Sequence, residues 1–249
     1  MSKKRLVLIH GFLENASMWQ YIVPRLSYRR NFNLSIPELP GHGNNAFIPS
    51  DHTTEAYCKN ILDQLKLKDN EEIFIIGHSM GGYLAANLAA MIPDRISGLC
   101  FFQSKAGSDS AEKIHDRKRA IEAARQNKSL YVRTMLTSCV LERNRERLRQ
   151  DLERTMSDAE KLSFEAIEAA QEVMISRPDN VEILKERRFP LYYFLSAQDP
   201  SLPIDVLNKE VAQLPGAVSY IASNAAHFGY MEANYEAVNF IKRIIMADS

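Results

Sequence analysis

Short runs of consecutive apolar residues alternate along this chain with amphipathic helical patterns. Six such runs, most of them apolar throughout rather than at every second position, predict strands that are buried on both faces of a parallel sheet. They lie at residues 6–10, 32–36, 73–76, 98–102, 191–195 and 218–222. Helical patterns occur between them at residues 16–28, 53–66, 80–92, 204–213 and 232–246. This alternation predicts an α/β fold with a mostly parallel open sheet of about six strands and helices on both faces.

The middle of the chain follows a different pattern. Residues 105–188 hold 18 Lys or Arg and 16 Asp or Glu residues, more than half of the charged residues of the chain. No strand pattern occurs there, and the amphipathic patterns predict four helices, at residues 111–127, 129–139, 141–155 and 158–175. We therefore predict that residues 105–178 form a helical insertion, and that residues 1–104 and 179–249 form the α/β core.

Composition narrows the class of protein and its partners. The chain has 249 residues, of which 45% are hydrophobic and 25% are charged, as in an average soluble globular protein. Its 31 basic and 31 acidic residues cancel, so no net charge attracts nucleic acid or an anionic membrane. The first apolar run is too short for a signal peptide, and no stretch approaches the ~20 residues of a membrane span. We predict a cytoplasmic protein with a small-molecule substrate, no nucleic-acid or membrane partner, and a possible homodimer.

The first chemical motif lies between the third apolar run and the next helical pattern. There the chain reads GHSMGG from residue 77 to residue 82, which is a G-x-S-x-G sequence between a strand and a helix. Such a turn strains the serine backbone and needs glycines on either side, because side chains would collide with neighbouring backbone. It raises the hydroxyl of Ser79 above the sheet edge and places the N–H of Met80 at a helix N-terminus, where negative charge is stabilised. This context predicts a nucleophilic serine.

Two further motifs follow strand ends. HGF at residues 10–12 comes directly after the first strand, and its glycine lets the N–H of Phe12 turn inward as a second oxyanion donor. Asp199 and His227 follow the fifth and sixth strands, whose carboxyl ends share one sheet edge with Ser79. A serine hydroxyl needs a histidine base, and the base needs an acid that fixes its tautomer and stabilises its charged form. We therefore predict a triad of Ser79, His227 and Asp199.

Taken together, these motifs resemble the α/β-hydrolase fold superfamily. The segments that carry the resemblance are HGF at 10–12, PELPGHG at 37–43, GHSMGG at 77–82, SAQDPSLP at 196–203 and NAAHFGYME at 224–232. The resemblance spans nearly the whole core, and the charged insertion stands where that family carries its helical cap. It implies that Ser79 is the nucleophile, Asp199 the acid and His227 the base. It also implies that the backbone amides of Phe12 and Met80 form the oxyanion hole.

The chain departs from the family pattern in two ways. Its first strand begins near residue 5, so the usual leading β-hairpin is absent or reduced. Some members take their acid from the end of the strand that corresponds to residues 98–102 here, but this chain has no acidic residue at positions 103–105, although Asp109 is close by. We favour Asp199 over Asp109 as the acid.

A serine nucleophile supports acyl-enzyme chemistry on esters, thioesters or activated amides. We expect hydrolysis of carboxylic esters of a small or medium, mostly apolar substrate beneath the cap, with Trp19, Phe102, Tyr131 and Met135 lining the substrate site. Two alternatives stay open. The same triad can act as a base in C–C bond hydrolysis or in a lyase or synthase reaction, or the chain is a non-catalytic ligand-binding receptor on a hydrolase scaffold. Neither metal-ligand spacing nor a phosphate-binding loop occurs, so we predict no metal and no cofactor.

Overall fold

The computed structural model describes residues 4–26 and 32–247. Within these ranges, six strands form one sheet in the order β2-β1-β3-β4-β5-β6, and every neighbouring pair is parallel. The strands are β1 (Lys4–Ile9), β2 (Phe32–Ser35), β3 (Ile73–His78), β4 (Ile96–Phe102), β5 (Leu191–Ser196) and β6 (Val218–Ala222). All six correspond to the predicted apolar runs, which confirms the fold class.

Eleven α-helices occur in the described ranges, on the two sides of the sheet and in the insertion. They are α1 (Thr54–Leu65), α2 (Met80–Met91), α3 (Ala111–Gln126), α4 (Lys128–Ser138), α5 (Glu142–Arg145), α6 (Arg149–Ala159), α7 (Phe164–Ser176), α8 (Val181–Lys185), α9 (Ile204–Ala212), α10 (Gly229–Glu232) and α11 (Asn234–Ala247). Helices α3 to α7 follow β4, and α8 and β5 come after them, so the insertion lies between two neighbouring strands of the sheet, β4 and β5. None of the helices in the described ranges is long and apolar enough to cross a membrane.

Burial explains why the strand predictions succeed. Every residue of the central strand β3 is buried, and its six positions are covered on both faces. A strand in that position shows no polar alternation, because neither face meets water. The edge strand β6 differs, since its Val218 and Ile221 are exposed.

Two predicted helices are wrong. The pattern at 16–28 forms short 3₁₀ helices at Ala16–Tyr21 and Val23–Arg25 instead, and residues 27–28 lie outside the described ranges. Pro24 supplies no backbone N–H there, so an α-helix cannot continue through it.

The pattern at 141–155 is broken into α5 and α6. The backbone N–H of Leu141 and the side-chain amide of Asn144 both donate to Oε1 of Glu232, at 2.9 and 2.8 Å. These contacts attach α5 to α10, and the chain turns at residues 146–148 before α6 begins. A contact with a distant segment therefore overrides the local helical pattern.

Polar side chains fix where the inserted helices begin. Ser110 accepts a hydrogen bond from the N–H of Lys113 at the start of α3, and Ser163 accepts one from Ala166 at the start of α7. Asn127 does the same at the start of α4. Such caps satisfy N–H groups that have no partner within their own helix, and they account for the close agreement of α3 and α4 with the predicted ranges.

The buried carboxylate of Glu210 ties the start of the insertion to the core. One oxygen accepts from the N–H of Ala106 at 2.7 Å and from the hydroxyl of Tyr193 at 2.9 Å, and the other accepts from the N–H of Gly107 at 2.9 Å. Helix α9 thereby holds the segment that leads from β4 into the insertion.

We expect Glu210→Gln to lower the free energy of unfolding by about 1–3 kcal/mol, because its amide group must face a buried donor that the carboxylate satisfied. Urea denaturation measures the effect. Lys209→Gln, on the same helix and exposed, is the control and should stay within about 0.5 kcal/mol of the unmodified protein. Equal stabilities of the two variants would contradict this role of Glu210.

Candidate active site

Ser79 lies in the turn between β3 and α2, with a φ of 49° and a ψ of −118°. A residue with a side chain rarely adopts this conformation, which costs about 1–3 kcal/mol and persists only where its surroundings hold it. A Cβ on Gly77 would lie 2.4 Å from the carbonyl oxygen of Gly81, and a Cβ on Gly81 would lie 2.5 Å from the carbonyl oxygen of His10. Only glycine at these two positions allows the strand, the helix and the loop after β1 to approach this closely.

Three side chains meet at this turn. Nε2 of His227 lies 2.7 Å from Oγ of Ser79, and Nδ1 lies 2.6 Å from Oδ2 of Asp199. The other oxygen of Asp199 accepts hydrogen bonds from the backbone N–H groups of Ser201 and Leu202, at 2.8 and 3.1 Å. With its proton on Nδ1, facing the carboxylate, the imidazole leaves Nε2 free to accept a proton from the serine hydroxyl. The fold thus brings together the three residues that the sequence predicts as a triad.

Opposing effects act on the imidazole of His227. Burial by itself lowers the pKa of His227, whereas the charge and the hydrogen bond of Asp199 and the charge of Glu14 raise it. The raising effects prevail, and the pKa lies above the ordinary value of 6.5. The charged form of the ring is therefore stabilised, as a base that must hold a transferred proton requires.

The HGF loop runs beside the serine. A Cβ on Gly11 would lie 3.1 Å from Cβ of Ser79, and the N–H of Gly11 donates to Oε2 of Glu14 at 2.7 Å. Phe12, the next residue, lines the same cavity as Ser79. Met80 begins α2, so its N–H belongs to the first turn, where N–H groups lack partners within the helix. Both residues lie next to the serine, and their role as oxyanion donors stays a prediction.

Glu14 and His78 form a buried pair that the sequence analysis missed. Oε2 of Glu14 lies 2.7 Å from Nδ1 of His78, and Oε1 accepts from the hydroxyl of Tyr230 at 2.6 Å. Nε2 of His78 faces the backbone carbonyl of His227 at 3.1 Å. Both ring nitrogens of His78 thus lie within hydrogen-bond distance of an oxygen, one on the Glu14 side chain and one on the His227 backbone. Burial raises the pKa of Glu14, but the charge of His78 and the hydrogen bonds from His78 and Tyr230 hold it below its ordinary value of 4.5.

This pair connects three parts of the site. Glu14 holds the HGF loop through the N–H of Gly11, and His78 adjoins Ser79 in the turn and contacts the loop of His227. Only an acid three residues after the glycine of HGF marks the pair in the sequence. The two side chains that contact Glu14 come from distant elements, His78 from β3 and Tyr230 from α10. Their proximity to Glu14 is therefore a property of the tertiary structure.

Gln103 is a second residue that the sequence analysis did not identify. It follows β4 with a φ of 48°, and its side-chain N–H₂ donates to Oγ of Ser196 at 2.5 Å and to the carbonyl of Ala226 at 2.6 Å. Its amide oxygen accepts from the N–H of Gly229 at 3.0 Å. A neutral amide therefore holds the chain on both sides of His227, at the strand end where some family members have an acid.

Asp109, the alternative acid, lies in a different cluster. Its Oδ1 is 2.7 Å from Nη2 of Arg177, and its Oδ2 is 2.5 Å from Nε of Arg117. Burial alone would raise the pKa of Asp109. The two guanidinium groups lower the pKa by more than burial raises it, and the result is a pKa of about 2. Within the described ranges, the imidazole of His227 is hydrogen-bonded to Ser79 and to Asp199 and not to Asp109.

A cavity of about 50 Å³ adjoins Ser79 and His227. Core elements supply part of its wall, and α3, α4 and α7 of the insertion supply the rest. The lining residues are Phe12, Ser79, Tyr83, Lys113, Arg117, Met135, Gln171, Met174, Ser201 and His227. Because its walls come from both parts of the chain, the position of the inserted helices determines the shape of the cavity.

The four predicted lining residues fare differently. Met135 lies on this cavity. Trp19 and Phe102 do not, because both are fully buried core residues whose ring centroids lie 6.2 Å apart. Tyr131 reaches the cavity only through Gln171, whose side-chain N–H₂ donates to the Tyr131 hydroxyl at 2.8 Å. Large apolar side chains fill a core as readily as they line a pocket, so residue type alone cannot separate the two positions.

Comparison with known proteins identifies the family. A family model described as the alpha/beta hydrolase fold matches residues 4–234, which is almost the whole chain. The chain belongs to the α/β-hydrolase fold family. The parallel sheet, with Ser79 in the turn after β3, is the architecture expected of a member.

Solved structures share the same fold. A thermophilic esterase from Thermogutta terrifontis is 24% identical, with a TM-score of 0.87 over 99% of this chain and 91% of that chain. The enol-lactonase from Burkholderia xenovorans LB400 is 19% identical, with a TM-score of 0.85 over 99% of this chain and 92% of that chain. At these identities the similarity shows the fold alone, since one fold hosts many chemistries.

Curated relatives match shorter segments. The pimeloyl-[acyl-carrier protein] methyl ester esterase of Neisseria meningitidis is 36% identical over 110 residues, which cover 44% of this chain and 40% of that protein. The chain spans between 26% and 45% of the length of the first eight curated relatives that it matches.

We expect the NMR titration of His227 to have its midpoint above pH 6.5, the ordinary value. Asp199→Asn should move the midpoint downwards, because it removes the charge that raises the pKa most while burial continues to lower it. Histidine ring spectra recorded against pH measure both midpoints, and His227→Gln assigns the signal. A midpoint at or below 6.5 in the unmodified protein would contradict this account of the site.

Proposed function

We propose that this protein is a serine hydrolase that cleaves carboxylic esters through an acyl-enzyme on Ser79. The observation that carries the proposal is the chain of contacts from Oγ of Ser79 to Nε2 of His227, at 2.7 Å, and from Nδ1 to Asp199, at 2.6 Å. Membership of the α/β-hydrolase family supports a hydrolase. The names of the Thermogutta terrifontis and Neisseria meningitidis proteins, both esterases, support the reaction class.

The geometry suits acyl transfer in two steps. Nε2 of His227 takes the proton of the Ser79 hydroxyl while Oγ attacks the ester carbonyl, and the resulting imidazolium then protonates the departing alcohol. In the second step a water molecule, which gives a proton to Nε2 of His227, attacks the carbonyl of the acyl-enzyme. The carboxylic acid leaves, and the proton returns to Oγ of Ser79. Asp199 stabilises this imidazolium through its hydrogen bond to Nδ1. The amides of Phe12 and Met80 would stabilise the negative charge on the former carbonyl oxygen.

Glu14 and His78 act in this proposal as positioning residues. Through the N–H of Gly11, Glu14 fixes the loop that carries the amide of Phe12. His78 holds the backbone carbonyl of His227, the residue that must face the serine. Catalytic geometry has to be kept within about 0.5 Å, so a buried network that connects both loops serves the reaction without touching the substrate.

The inserted helices form the cap in this proposal. Residues 105–178 contribute half of the lining of the cavity beside Ser79, so they limit the size of the group that reaches the serine. A closed site also keeps bulk water away from the acyl-enzyme. A cytoplasmic location and a homodimer stay predictions from the sequence.

We expect Ser79→Ala to abolish ester hydrolysis, with kcat lowered on the order of 10⁴ to 10⁶-fold, because the hydroxyl supplies the nucleophile. Turnover of p-nitrophenyl acetate and butyrate measures the loss, and a fluorophosphonate should label the unmodified protein but not the variant. Ser157→Ala, a change at an exposed serine, is the matched control and should keep both properties. Labelling that survives in Ser79→Ala would place the nucleophile elsewhere, and binding of esters without turnover would favour the receptor alternative.

The choice of acid is tested with a matched pair of variants. Asp199→Asn should lower kcat by roughly 10³ to 10⁴-fold, because the amide favours the wrong tautomer of His227. Asp109→Asn should lower kcat less than tenfold, since Asp109 contacts Arg117 and Arg177 and not the histidine. Steady-state kinetics with thermal unfolding as a check of folding distinguish them. A larger loss in Asp109→Asn than in Asp199→Asn would overturn the assignment.

A further inference from the structure

The cavity beside Ser79 is more cationic than an apolar substrate requires. Lys113 and Arg117 both line it, together with the polar side chains of Gln171 and Ser201. The two cations are four residues apart on α3, so they lie on one face of that helix. Among the described lining residues there is no aspartate or glutamate. Two positive charges thus face a cavity whose described apolar lining consists of Phe12, Tyr83, Met135 and Met174.

The neighbouring carboxylate, that of Asp109, does not neutralise both Lys113 and Arg117. Asp109 lies between Arg117 and Arg177, so one carboxylate faces two guanidinium groups. Arg177 in turn lies over the ring of Tyr83, 3.9 Å from its centroid. Lys113 is four residues from Asp109 but forms no ion pair with any carboxylate in the described ranges. The cluster therefore keeps a net positive charge on the side of the cavity formed by α3.

Arg117 is held in place. Its Nε lies 2.5 Å from Oδ2 of Asp109, and its Nη1 lies 3.2 Å from Oε1 of Gln171. Gln171 is fixed by its hydrogen bond to the hydroxyl of Tyr131. Because the guanidinium is oriented before any ligand arrives, a ligand loses less free energy in ordering it.

Lys113 lines two adjoining cavities. An outer cavity of about 430 Å³ shares Lys113 and Ser201 with the inner one. The outer lining carries both signs of charge, since three acids lie there beside two lysines: Asp109, Glu112, Asp116, Lys105 and Lys113. An excess of positive charge is therefore confined to the inner cavity. Its effect reaches the base, because the charge of Lys113 opposes the raising effect of Asp199 on the pKa of His227.

We propose that Lys113 and Arg117 form an anion subsite, which binds a carboxylate that the substrate carries a short chain away from its ester carbonyl. The proposal rests on the proposed ester hydrolysis and names its substrate class. A cavity of about 50 Å³ holds roughly three water molecules, so it suits a carboxylate on a short chain. Ammonium and guanidinium groups form their strongest hydrogen bonds with such anions. The preferred substrate is accordingly a half-ester rather than a wholly apolar ester.

The test compares esters that differ only in charge. Monomethyl succinate, glutarate and adipate carry the carboxylate on the acyl side, and the corresponding primary amides are neutral counterparts of nearly the same shape. In a second series, 4-carboxyphenyl acetate carries the carboxylate on the alcohol side, and 4-carbamoylphenyl acetate is its neutral counterpart. We expect kcat/KM to be at least tenfold higher for the charged member of one of these series. Equal or higher kcat/KM for the neutral members in both series would overturn the proposal.

Variants of Lys113 then test the residue. Lys113→Met should lower kcat/KM for the preferred charged ester about 10 to 100-fold, the loss expected when one charge-assisted hydrogen bond is removed. The neutral counterpart should change less than threefold, and Lys113→Arg should restore most of the preference. Lys118→Met, at an exposed position of the same helix, is the control and should change neither. Equal losses for the charged and the neutral ester in Lys113→Met would contradict a role in anion binding.

A binding measurement separates failure of the subsite from failure of the proposed reaction. Calorimetric titration of Ser79→Ala protein with succinate, glutarate and adipate should detect binding that the Lys113→Met change weakens at least tenfold. If this binding occurs but no ester is hydrolysed by the unmodified protein, the subsite stands and the esterase proposal fails. If esters are hydrolysed and neither dicarboxylate binding nor a preference for charged esters is found, the subsite is wrong and the esterase proposal stands.

Discussion

Helix α2 packs so closely against the ends of β1 and β3 that only glycine fits at positions 77 and 81. A Cβ at either position would lie within 2.5 Å of backbone oxygen. The same contact holds Ser79 in a strained backbone conformation with positive φ, at the sheet edge where the loops after β1, β5 and β6 lie. Every other part of the site is arranged around this turn, since Phe12, Asp199 and His227 all come from those loops. Strain at one residue is thus maintained by backbone packing of the central sheet.

Buried charges connect the elements that surround the turn. Glu14 and His78 link the loop after β1, the end of β3 and the loop of His227. Asp109 with Arg117 and Arg177 links the insertion to itself, and Glu210 holds its first residues to the core. A buried charge without a partner is costly, so each of these groups constrains several segments at once. The cavity beside Ser79 takes its positive character from Lys113 and Arg117, which line it.

Local patterns predicted the parts of the fold that depend on burial alone. The four inner strands β1, β3, β4 and β5 were recognised because an unbroken apolar run is what a strand covered on both faces requires, and β3 is buried along its whole length. Helices α3 and α4 were recognised because capping side chains and apolar periodicity agree there. The pattern at 16–28 failed at Pro24, and the pattern at 141–155 failed because Glu232 binds the start of α5 from a distant part of the chain.

The sequence by itself determined the fold class and the residues that meet at the sheet edge, because parallel strands bring their carboxyl ends to one side and each motif follows such an end. It did not determine which side chains line the cavity. Trp19 and Phe102 pack into the core, while Lys113 and Arg117 reach the site, and both outcomes follow from how α3, α4 and α7 lie over the sheet. The pairing of Glu14 with His78 was equally hidden, since it joins residues 64 positions apart. Such contacts depend on the relative placement of elements, which no local pattern encodes.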